Sequence, residues 1–385
     1  MQFEFATATK IIFGSGTINS FNEIAEGFGK NALIICGAPQ GIVEKLVDIL
    51  NSHKINNSSI KINREPTVDV IQEVVDLARQ AATDFIVAIG GGSAIDTGKA
   101  TAALLTNPGE LSDYLEIIGR KRPLVKPAMP LIAIPTTSGT GSEVTKNAVI
   151  GVPTHKVKVS LRSDFLLPRI ALIDPELTIN LPQWLTAVTG LDALTQLIEA
   201  FTCNSPNPMT DPLCLDGMQR VSRSLFQAYD DGHDLSARED MSLASLFSGI
   251  ALANAKLGAV HGLAGPLGGE IQAPHGAICA SLLSIVLAEN IKALKSRSPD
   301  HPSLERFTLI SKLFGSESRA KAENVIHWID NFCQHAKIRP LSYLGLSESQ
   351  FDEIIEKARH SSSMKGNPIT LSDDELRTIL QRSLE

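Results

Sequence analysis

The residues of this sequence best suited to chemistry are two histidines, His261 and His275, which lie fourteen residues apart in a stretch of small residues and prolines. Small side chains let a ligand come close to the imidazoles. Imidazole is the commonest metal ligand, although an isolated pair is also compatible with two buried histidines that have ordinary hydrogen-bond partners. Asp192 favours the metal interpretation. It lies in an apolar stretch about seventy residues earlier, where a buried carboxylate is costly unless it is paired or metal-bound.

A glycine run at residues 90–93 (GGGS) leaves an apolar segment at 85–89 and opens a helical segment at 94–105. Backbone N–H groups at such a helix N-terminus can bind a phosphate. The alternative is a tight turn without a ligand. Asp96 and Lys99 follow on the helix. We expect Asp96 to orient the loop or to touch the nicotinamide end of a cofactor; the alternative for both residues is a solvated face or a local ion pair.

A loop rich in hydroxyl groups, residues 136–143 (TTSGTGSE), follows the apolar segment 130–135. Its hydroxyls and glycines can donate to phosphate or ribose oxygens, although Thr140 or Ser142 could simply cap a turn. Because two such loops are expected at strand ends of one sheet, they indicate a ligand with more than one phosphate. Lys158 lies on an alternating run at 155–163 (HKVKVSLRS), which predicts a strand of mixed pairing.

The elements that must position these residues alternate between strand and helix patterns as far as residue 173. An early strand is predicted within residues 1–16, followed by strands at 32–36, 59–62, 85–89, 130–135 and 170–173, and helices are predicted at 41–53, 68–82 and 94–105. This alternation favours a parallel sheet, whose ligands bind beyond the carboxyl ends of the strands. From residue 177 helical periods dominate. We therefore predict an α/β domain over 1–178 and an all-helical domain over 179–385, which ends in two amphipathic helices with a joint near 366–368.

Composition narrows the class of protein. The net charge is −7, so nothing favours binding to nucleic acid or to an anionic membrane. The five cysteines are scattered and form no CxxC pair, which fits a reducing cytoplasm and argues against a disulfide framework or a structural zinc site. The first ten residues do not have the pattern of a signal peptide. No apolar run is expected to reach the length of a transmembrane helix.

Four motifs in order resemble the iron-containing (group III) alcohol dehydrogenases. They are GGGSAIDTGK at 90–99, PTTSGTGSE at 135–143, GLDALTQLIE at 190–199 and HGLAGPLGGEIQAPHG at 261–276. The resemblance covers essentially the whole chain. It implies a Rossmann-like dinucleotide domain, a helical metal-binding domain, an active site in the cleft between them, and a homo-oligomer, commonly a dimer.

The resemblance also implies roles for single residues. Asp192, His261 and His275 match three of the family's four metal ligands, and Lys158 matches a lysine that contacts ribose. The cofactor-binding residues implied are Gly37, Gly91, Gly92, Ser93, Asp96, Thr136, Thr137, Thr140 and Lys158.

Two positions depart from the family pattern. Gln196 stands where the fourth ligand, a histidine, is usual, and Gly265 stands where a second histidine usually lies close to the nicotinamide. A glutamine amide oxygen can ligate a divalent ion, but more weakly than imidazole. Three protein ligands still make a catalytic site with one position open. We therefore expect a divalent metal, iron or zinc, with Gln196 as a fourth ligand; the alternative is a lost metal, with the carboxylate paired to a histidine.

The function implied is NAD(P)-dependent hydride transfer between a small alcohol and its aldehyde or ketone, with the substrate oxygen on the metal. NAD-preferring relatives carry an aspartate after the strand at 32–36, whereas this chain has Cys36-Gly37-Ala38, so acceptance of NADP is favoured. Two alternatives remain at this point. One is a dehydrogenase of a polyol, a keto acid or a phosphorylated carbonyl compound; the other is a catalytically decayed nucleotide-binding protein.

Overall fold

The computed structural model describes residues 2–271, 273–315 and 322–385, so predictions at 272 and 316–321 lie outside the described residues. The chain divides into two compact units. The first is Ala6–Leu181, and the second is Pro182–Glu385 together with residues 2–5. The sequence places the boundary near residue 178, and the division in the structure falls after Leu181.

The first unit is built on a parallel sheet of six strands in the order β1-β8-β5-β4-β2-β3. The strands are β1 (Lys10–Phe13), β2 (Asn31–Cys36), β3 (Asn56–Lys61), β4 (Phe85–Gly90), β5 (Leu131–Pro135) and β8 (Ile170–Ile173). The central strands are continuous apolar runs because helices cover both faces of the sheet. The prediction of a parallel α/β unit is confirmed. The edge strand β3 begins earlier than the predicted 59–62, because its polar start, Asn-Asn-Ser, pairs with β2 despite a weak strand propensity.

Helices pack on the two faces of the sheet and form two cores. They are α1 (Phe21–Ala25), α2 (Gln40–Ser52), α3 (Val68–Gln80) and α4 (Gly92–Thr106); the short helix α5 (Leu111–Tyr114) packs in a third, local core. On one face, Phe21 of α1 and Leu46 of α2 pack against Ile34 of β2. On the other face of the sheet, Val74 of α3 and Ile95 of α4 belong to a second core, to which the strands also contribute side chains.

A separate antiparallel hairpin corrects the prediction for 155–163. Residues 157–162 form strand β7 (Val157–Arg162), which pairs only with β6 (Asn147–Val152), a strand that the sequence analysis missed. The predicted mixed pairing is therefore wrong. The alternation along β7 arises because one face of the hairpin packs on a local core around Leu161, and the other face is only partly buried.

The second unit is helical throughout the described residues, as predicted. Its helices are α6 (Gln183–Thr202), α7 (Asp211–Asp230), α8 (Leu235–Asn254), α9 (Ala259–Glu270), α10 (His275–Arg297), α11 (Pro302–Leu313), α12 (Asn324–His335), α13 (Phe351–His360) and α14 (Asp373–Arg382). The helices α6 and α10 are apolar around most of their circumference, which is typical of helices at the centre of a core. The two predicted amphipathic helices of the last stretch are α13 and α14.

The expectation about apolar length is wrong for α10. Its 23 residues are long and apolar enough to cross a membrane by length and composition alone. However, 67% of its most apolar window is buried inside the unit, as in the core helix of a soluble protein. Among the described residues, α8 and α9 pass the same test only as a pair bent by 93°.

Candidate metal centre and dinucleotide loops

Helix α6 carries three buried polar residues on one face. Asp192, Gln196 and Glu199 are spaced i, i+4 and i+7, which places them one above another along the helix. Asp192 is only 2% exposed, in a core that is otherwise apolar. Buried polar groups in such a setting require partners, and the neighbouring helices α9 and α10 supply them.

The structure brings Asp192 together with both predicted histidines and with a cysteine. The Nε2 atoms of His261 and His275 lie 3.5 Å and 3.7 Å from Asp192 Oδ1, and Cys279 Sγ lies 3.6 Å from His275 Nε2. One donor atom from each of these four residues lies within 4.8 Å of all the others. Donors held at 2.0–2.3 Å from one tetrahedral ion are about 3.3–3.8 Å apart, so the observed separations suit a metal.

Two atoms at the centre of this cluster have no hydrogen-bond partner among the described residues. They are Asp192 Oδ1 and His261 Nε2, both buried, with a separation too long for a hydrogen bond between them. Burial opposes a charge on His261, but the carboxylates of Asp192 and Glu199 outweigh it and raise the pKa of the imidazole to about 10. The site therefore attracts a cation strongly. An orphaned carboxylate oxygen and an orphaned imidazole nitrogen that face each other fit a divalent ion better than the alternative of a simple carboxylate–histidine pair.

Glu199 fixes the orientation of His261. Its carboxylate accepts from His261 Nδ1 at 2.7 Å, so the other ring nitrogen, Nε2, faces Asp192. The same carboxylate accepts from the backbone N–H of Val260 at 2.7 Å, in the first turn of α9. Gly258 precedes that turn, and a Cβ there would lie 2.8 Å from Glu199 Oε1. A carboxylate behind a histidine is the usual support of a metal ligand, and the sequence analysis assigned no role to Glu199.

The ligand role of Gln196 stays a prediction, and in the structure its amide makes two hydrogen bonds. Its Oε1 accepts a hydrogen bond from Ser248 at 2.9 Å, and its Nε2 faces Asp192 Oδ2 at 3.4 Å. The amide thus presents its nitrogen, which is a donor only, towards the cluster. The fourth residue of the cluster is Cys279, one turn after His275 on α10. Its i, i+4 spacing from His275 is only a weak signal in the sequence, because a cysteine in an apolar helix resembles any other small core residue.

His275 and Gly265 leave the cluster accessible. The side chain of His275 is 38% exposed, although those of Asp192 and His261 are buried. Gly265 lies one turn after His261, and a Cβ at this position would meet nothing within 4 Å. A small molecule can therefore reach the donors from this side of the second unit.

In the first unit, the predicted glycines lie at the point where the strand order reverses. Strand β2 has β3 on one side and β4 on the other, and such a switch point is where α/β sheets bind ligands. Gly37 follows β2 and donates its N–H to Ile89 O of β4 at 2.8 Å. Gly90, with φ of 151°, comes so close to Gly37 that a Cβ on Gly90 would be 2.9 Å from its Cα. These glycines let the carboxyl ends of β2 and β4 come into contact, so the glycine run is part of the sheet packing and is not only a tight turn.

The hydroxyl loop after β5 packs directly against the glycine loop. A Cβ on Gly92 would meet Thr140 at 3.0 Å, and one on Gly91 would meet Thr137 at 3.4 Å. The backbone N–H of Thr136 donates to Gly90 O at 2.9 Å. Helix α4 begins at Gly92, and no side chain of the described residues caps it, so the backbone N–H groups of Gly92 and Ser93 have no acceptor within the helix. The structure thus brings together the predicted residues of both loops.

Asp96 and Lys99 form a buried network instead of a solvated face. The Lys99 ammonium donates to Ser142 and Thr145 at 2.9 Å and 2.7 Å. The Asp96 carboxylate accepts from Ser142 and, at 2.9 Å, from Val149 N. Because both Asp96 oxygens already hold protein groups, the structure favours its loop-orienting role over direct contact with a nicotinamide.

Two charged groups lie near this network. Burial raises the pKa of Glu143, at the end of the hydroxyl loop, to about 7, although the charge of Lys99 opposes that shift. Lys158 lies on β7, where its ammonium pairs with Glu65 at 2.5 Å. The assigned contact of Lys158 with ribose stays a prediction.

Comparison with known proteins identifies the family. The sequence profile described as "Iron-containing alcohol dehydrogenase" matches residues 8–175. The profile described as "Fe-containing alcohol dehydrogenase family, C-terminal" matches residues 186–384. The chain belongs to the iron-containing alcohol dehydrogenase family. The resemblance drawn from its four motifs is therefore confirmed, and the chain is an oxidoreductase of the alcohol dehydrogenase type.

Relatives within this iron-containing alcohol dehydrogenase family match over nearly full length. Alcohol dehydrogenase 4 of Saccharomyces cerevisiae is 33% identical over 380 residues, which is 97% of this chain and 96% of the yeast protein. 1,3-Propanediol dehydrogenase of Klebsiella pneumoniae is 32% identical over 391 residues, 99% of each chain. The crystal structure of a 1,3-propanediol oxidoreductase, 32% identical, matches with a TM-score of 0.90 and covers 100% of both chains.

A further solved structure relates the family to its coenzyme. Sulfoacetaldehyde reductase from Bifidobacterium kashiwanohense was solved in complex with NAD+. It is 27% identical to this chain, has a TM-score of 0.86, and the match covers 100% of this chain and 99% of the reductase. Iron-containing alcohol dehydrogenases use NAD(H) and a divalent metal, which agrees with the cluster and the glycine loops described above.

Proposed function

We propose that this chain catalyses reversible hydride transfer between a nicotinamide dinucleotide and a small, uncharged alcohol or its aldehyde. The observation that carries the proposal is the pair of buried atoms without partners, Asp192 Oδ1 and His261 Nε2, which face each other at 3.5 Å. A decayed protein would have no reason to keep this arrangement, because each group is costly to bury alone. The catalytic residues proposed are Asp192, His261 and His275.

Asp192, His261 and His275 would hold a divalent ion, which is iron or zinc. Such an ion supplies Lewis-acid chemistry: it stabilises negative charge on the substrate oxygen. With the ion bound, Glu199 would hold the one remaining ring proton of His261 on Nδ1, so that Nε2 would offer its lone pair to the ion. The hydride chemistry belongs to the coenzyme, and the chain contributes orientation.

The proton released from an alcohol goes to water in this proposal. Gly265 stands where the family usually has a second histidine, and the space around it is open. Water, or a hydroxyl of the bound ribose, can occupy that space and accept the proton. This route is an expectation that the open space supports.

A small uncharged substrate is favoured by the charges near the cluster. Residues 249–280 contain one lysine, Lys256, and no arginine, so little there would hold a phosphorylated or other polyanionic substrate. A polyol remains the second candidate, because relatives of similar identity include 1,3-propanediol dehydrogenase.

The loops at the switch point would hold the coenzyme diphosphate. The free donors of the first turn of α4 and the hydroxyls of Thr137 and Thr140 support this placement. We further propose that both NAD and NADP are accepted. Gly37 places no carboxylate after β2, and the exposed Lys61 pairs in register with Cys36 at the end of β3, so a 2′-phosphate would meet attraction and no repulsion.

The coenzyme proposal is tested with Gly37→Asp. A carboxylate here would repel the 2′-phosphate, so kcat/KM with NADP should fall at least about tenfold, with a smaller change for NAD. A Cβ at residue 37 would lie 3.3 Å from Ala94 Cβ, which requires only a small shift. Gly37→Ala is the matched control for that shift. Equal losses with both coenzymes, or the same loss in the alanine variant, would contradict the proposal.

The reaction is tested on protein loaded anaerobically with iron or with zinc. Turnover of NAD or NADP is followed with a panel of primary alcohols, diols and aldehydes. We expect turnover that Asp192→Asn abolishes while coenzyme binding, measured by nicotinamide fluorescence, persists. Coenzyme binding without turnover in any metal-loaded wild-type sample would favour the decayed nucleotide-binding protein.

Location and assembly are also proposals. None of the five cysteines, all of which lie in the described part of the chain, is in a disulfide, which supports a cytoplasmic location. A homodimer is proposed from the family resemblance, and the molar mass in solution by light scattering tests it.

A further inference from the structure

We propose that Cys279 is the fourth protein ligand of the metal and replaces the imidazole that this chain lacks at Gln196. This inference rests on the proposed function, since it assumes that Asp192, His261 and His275 hold an ion. The inference adds to that function a fourth donor, which comes from α10 instead of α6 and is a sulfur atom instead of a nitrogen atom.

The position of the thiol supports this role. Cys279 is fully buried and lies one turn after His275, so both side chains leave the same face of α10 towards Asp192. Its Sγ is 3.6 Å from His275 Nε2 and within 4.8 Å of the other two donors. A cysteine alone would indicate nothing. Here, however, it faces a buried oxygen and a buried nitrogen, on Asp192 and His261, that have no hydrogen-bond partner.

The environment of Gln196 explains why the ligand has moved. Ser248 donates to its amide oxygen at 2.9 Å, which holds the possible ligand atom away from the cluster. The amide nitrogen faces Asp192 Oδ2 instead and helps to fix the carboxylate. Gln196 is thus a positioning residue for Asp192, and the cluster needs a donor from elsewhere.

The resulting donor set has consequences for metal choice. One carboxylate oxygen, two imidazole nitrogens and one thiolate sulfur form a softer set than one without sulfur, and a thiolate favours zinc. Because this set has four protein donors, the substrate oxygen of the proposed function would be a fifth ligand. Binding requires the thiolate, so the proton on Cys279 Sγ is released to solvent as the metal–sulfur bond forms. No oxidant or reductant is needed. We therefore expect zinc to be retained in preference to iron(II).

The test is optical, and it does not depend on activity. Protein stripped by a chelator is titrated with Co(II) under argon, and the near-ultraviolet sulfur-to-cobalt charge-transfer absorption is recorded together with the affinity. The wild type is compared with Cys279→Ser, with Cys214→Ser as a matched control, and with the double variant Gln196→His/Cys279→Ser. Cys214 suits the control because it is equally buried in the same unit but lies on α7, outside the cluster.

We expect the charge-transfer band in the wild type and in Cys214→Ser but not in Cys279→Ser, which should bind Co(II) and Zn(II) at least about tenfold more weakly. The double variant should regain affinity without the band, because an imidazole on α6 again supplies a fourth donor. Stoichiometric metal without the band, and with unchanged affinity in Cys279→Ser, would overturn this inference alone. If the wild type binds neither metal, the metal mechanism under the proposed function fails as well.

Discussion

The support of His261 by Glu199 offers the sharpest test of the site, through the substitution Glu199→Gln. The wild-type carboxylate accepts two short hydrogen bonds at 2.7 Å, one from Val260 N and one from His261 Nδ1. Glutamine has the same shape but only one acceptor atom. If that atom keeps Val260 N, the amide NH₂ faces Nδ1, and the ring proton has to move to Nε2.

The magnitude follows from this change of tautomer. Metal binding needs the tautomer whose proton is on Nδ1. The wild-type carboxylate stabilises that tautomer, whereas the amide NH₂ of the variant faces the Nδ1 proton and makes the same tautomer less stable. Loss of such supporting carboxylates costs about 10–100-fold in metal affinity, or about 1.4–2.7 kcal/mol. The metal-free protein also loses a hydrogen bond to a charged acceptor, which is worth about 1.5–3 kcal/mol of unfolding free energy.

The assay is competition for Zn(II) with a chromophoric chelator, together with urea unfolding of metal-free protein. Glu289→Gln is the matched control, because Glu289 is an equally buried glutamate of the same unit, paired with Lys292 at 2.9 Å instead of with the cluster. Its zinc affinity should stay within about twofold of the wild type. Unchanged zinc affinity in Glu199→Gln, or an equal loss in Glu289→Gln, would refute the reasoning.

Two further predictions concern stability. Gly262→Ala should lower the unfolding free energy, measured in urea, by about 1–3 kcal/mol, because its Cβ would lie 2.9–3.1 Å from Met364 atoms. Gly265→Ala on the same helix is the control, because a Cβ there has open space and the gain in helix propensity is offset by the following proline. It should change the unfolding free energy by less than about 1 kcal/mol. The second prediction concerns Glu143, whose pKa is about 7 in the folded chain, whereas the ordinary pKa of a glutamate is 4.5. The folded chain binds more protons between these values, so from pH 4.5 to 7 the wild type should lose roughly 3 kcal/mol of stability that Glu143→Gln does not lose. Parallel pH profiles of the two proteins would contradict that assignment.

Much of the fold could be predicted because its elements have strong local signals. The continuous apolar runs of β4 and β5 predict strands buried on both faces, and the alternation with helices predicts their parallel pairing. The hairpin β6–β7 could not be predicted in the same way. Its register depends on an antiparallel partner, and its burial depends on a local core to which α5 also contributes.

The site was predicted unevenly for a similar reason. Asp192 and the two histidines stand out because each is a polar residue in an apolar or small-residue stretch. Cys279 does not stand out, because a buried thiol behaves like a small hydrophobic residue in any core helix. Its proximity to Asp192 is a tertiary property. It depends on the close approach of α10 to α6 at Gly276, where a Cβ would lie 2.7 Å from Val188 O.

That close approach also explains how the site can lose an imidazole and keep its geometry. Val188 lies one turn before Asp192 on α6, and Gly276 immediately follows His275 on α10, so the contact between them sets the distance between the carboxylate and both α10 donors. A donor at position 196 adds a second group from α6, whereas a donor at position 279 adds a second group from α10. Because the spacing of the two helices is fixed at Gly276, either helix can complete the set. Glutamine instead of histidine at position 196 therefore changes the chemical type of the fourth donor, and the packing that positions the other three donors does not have to change.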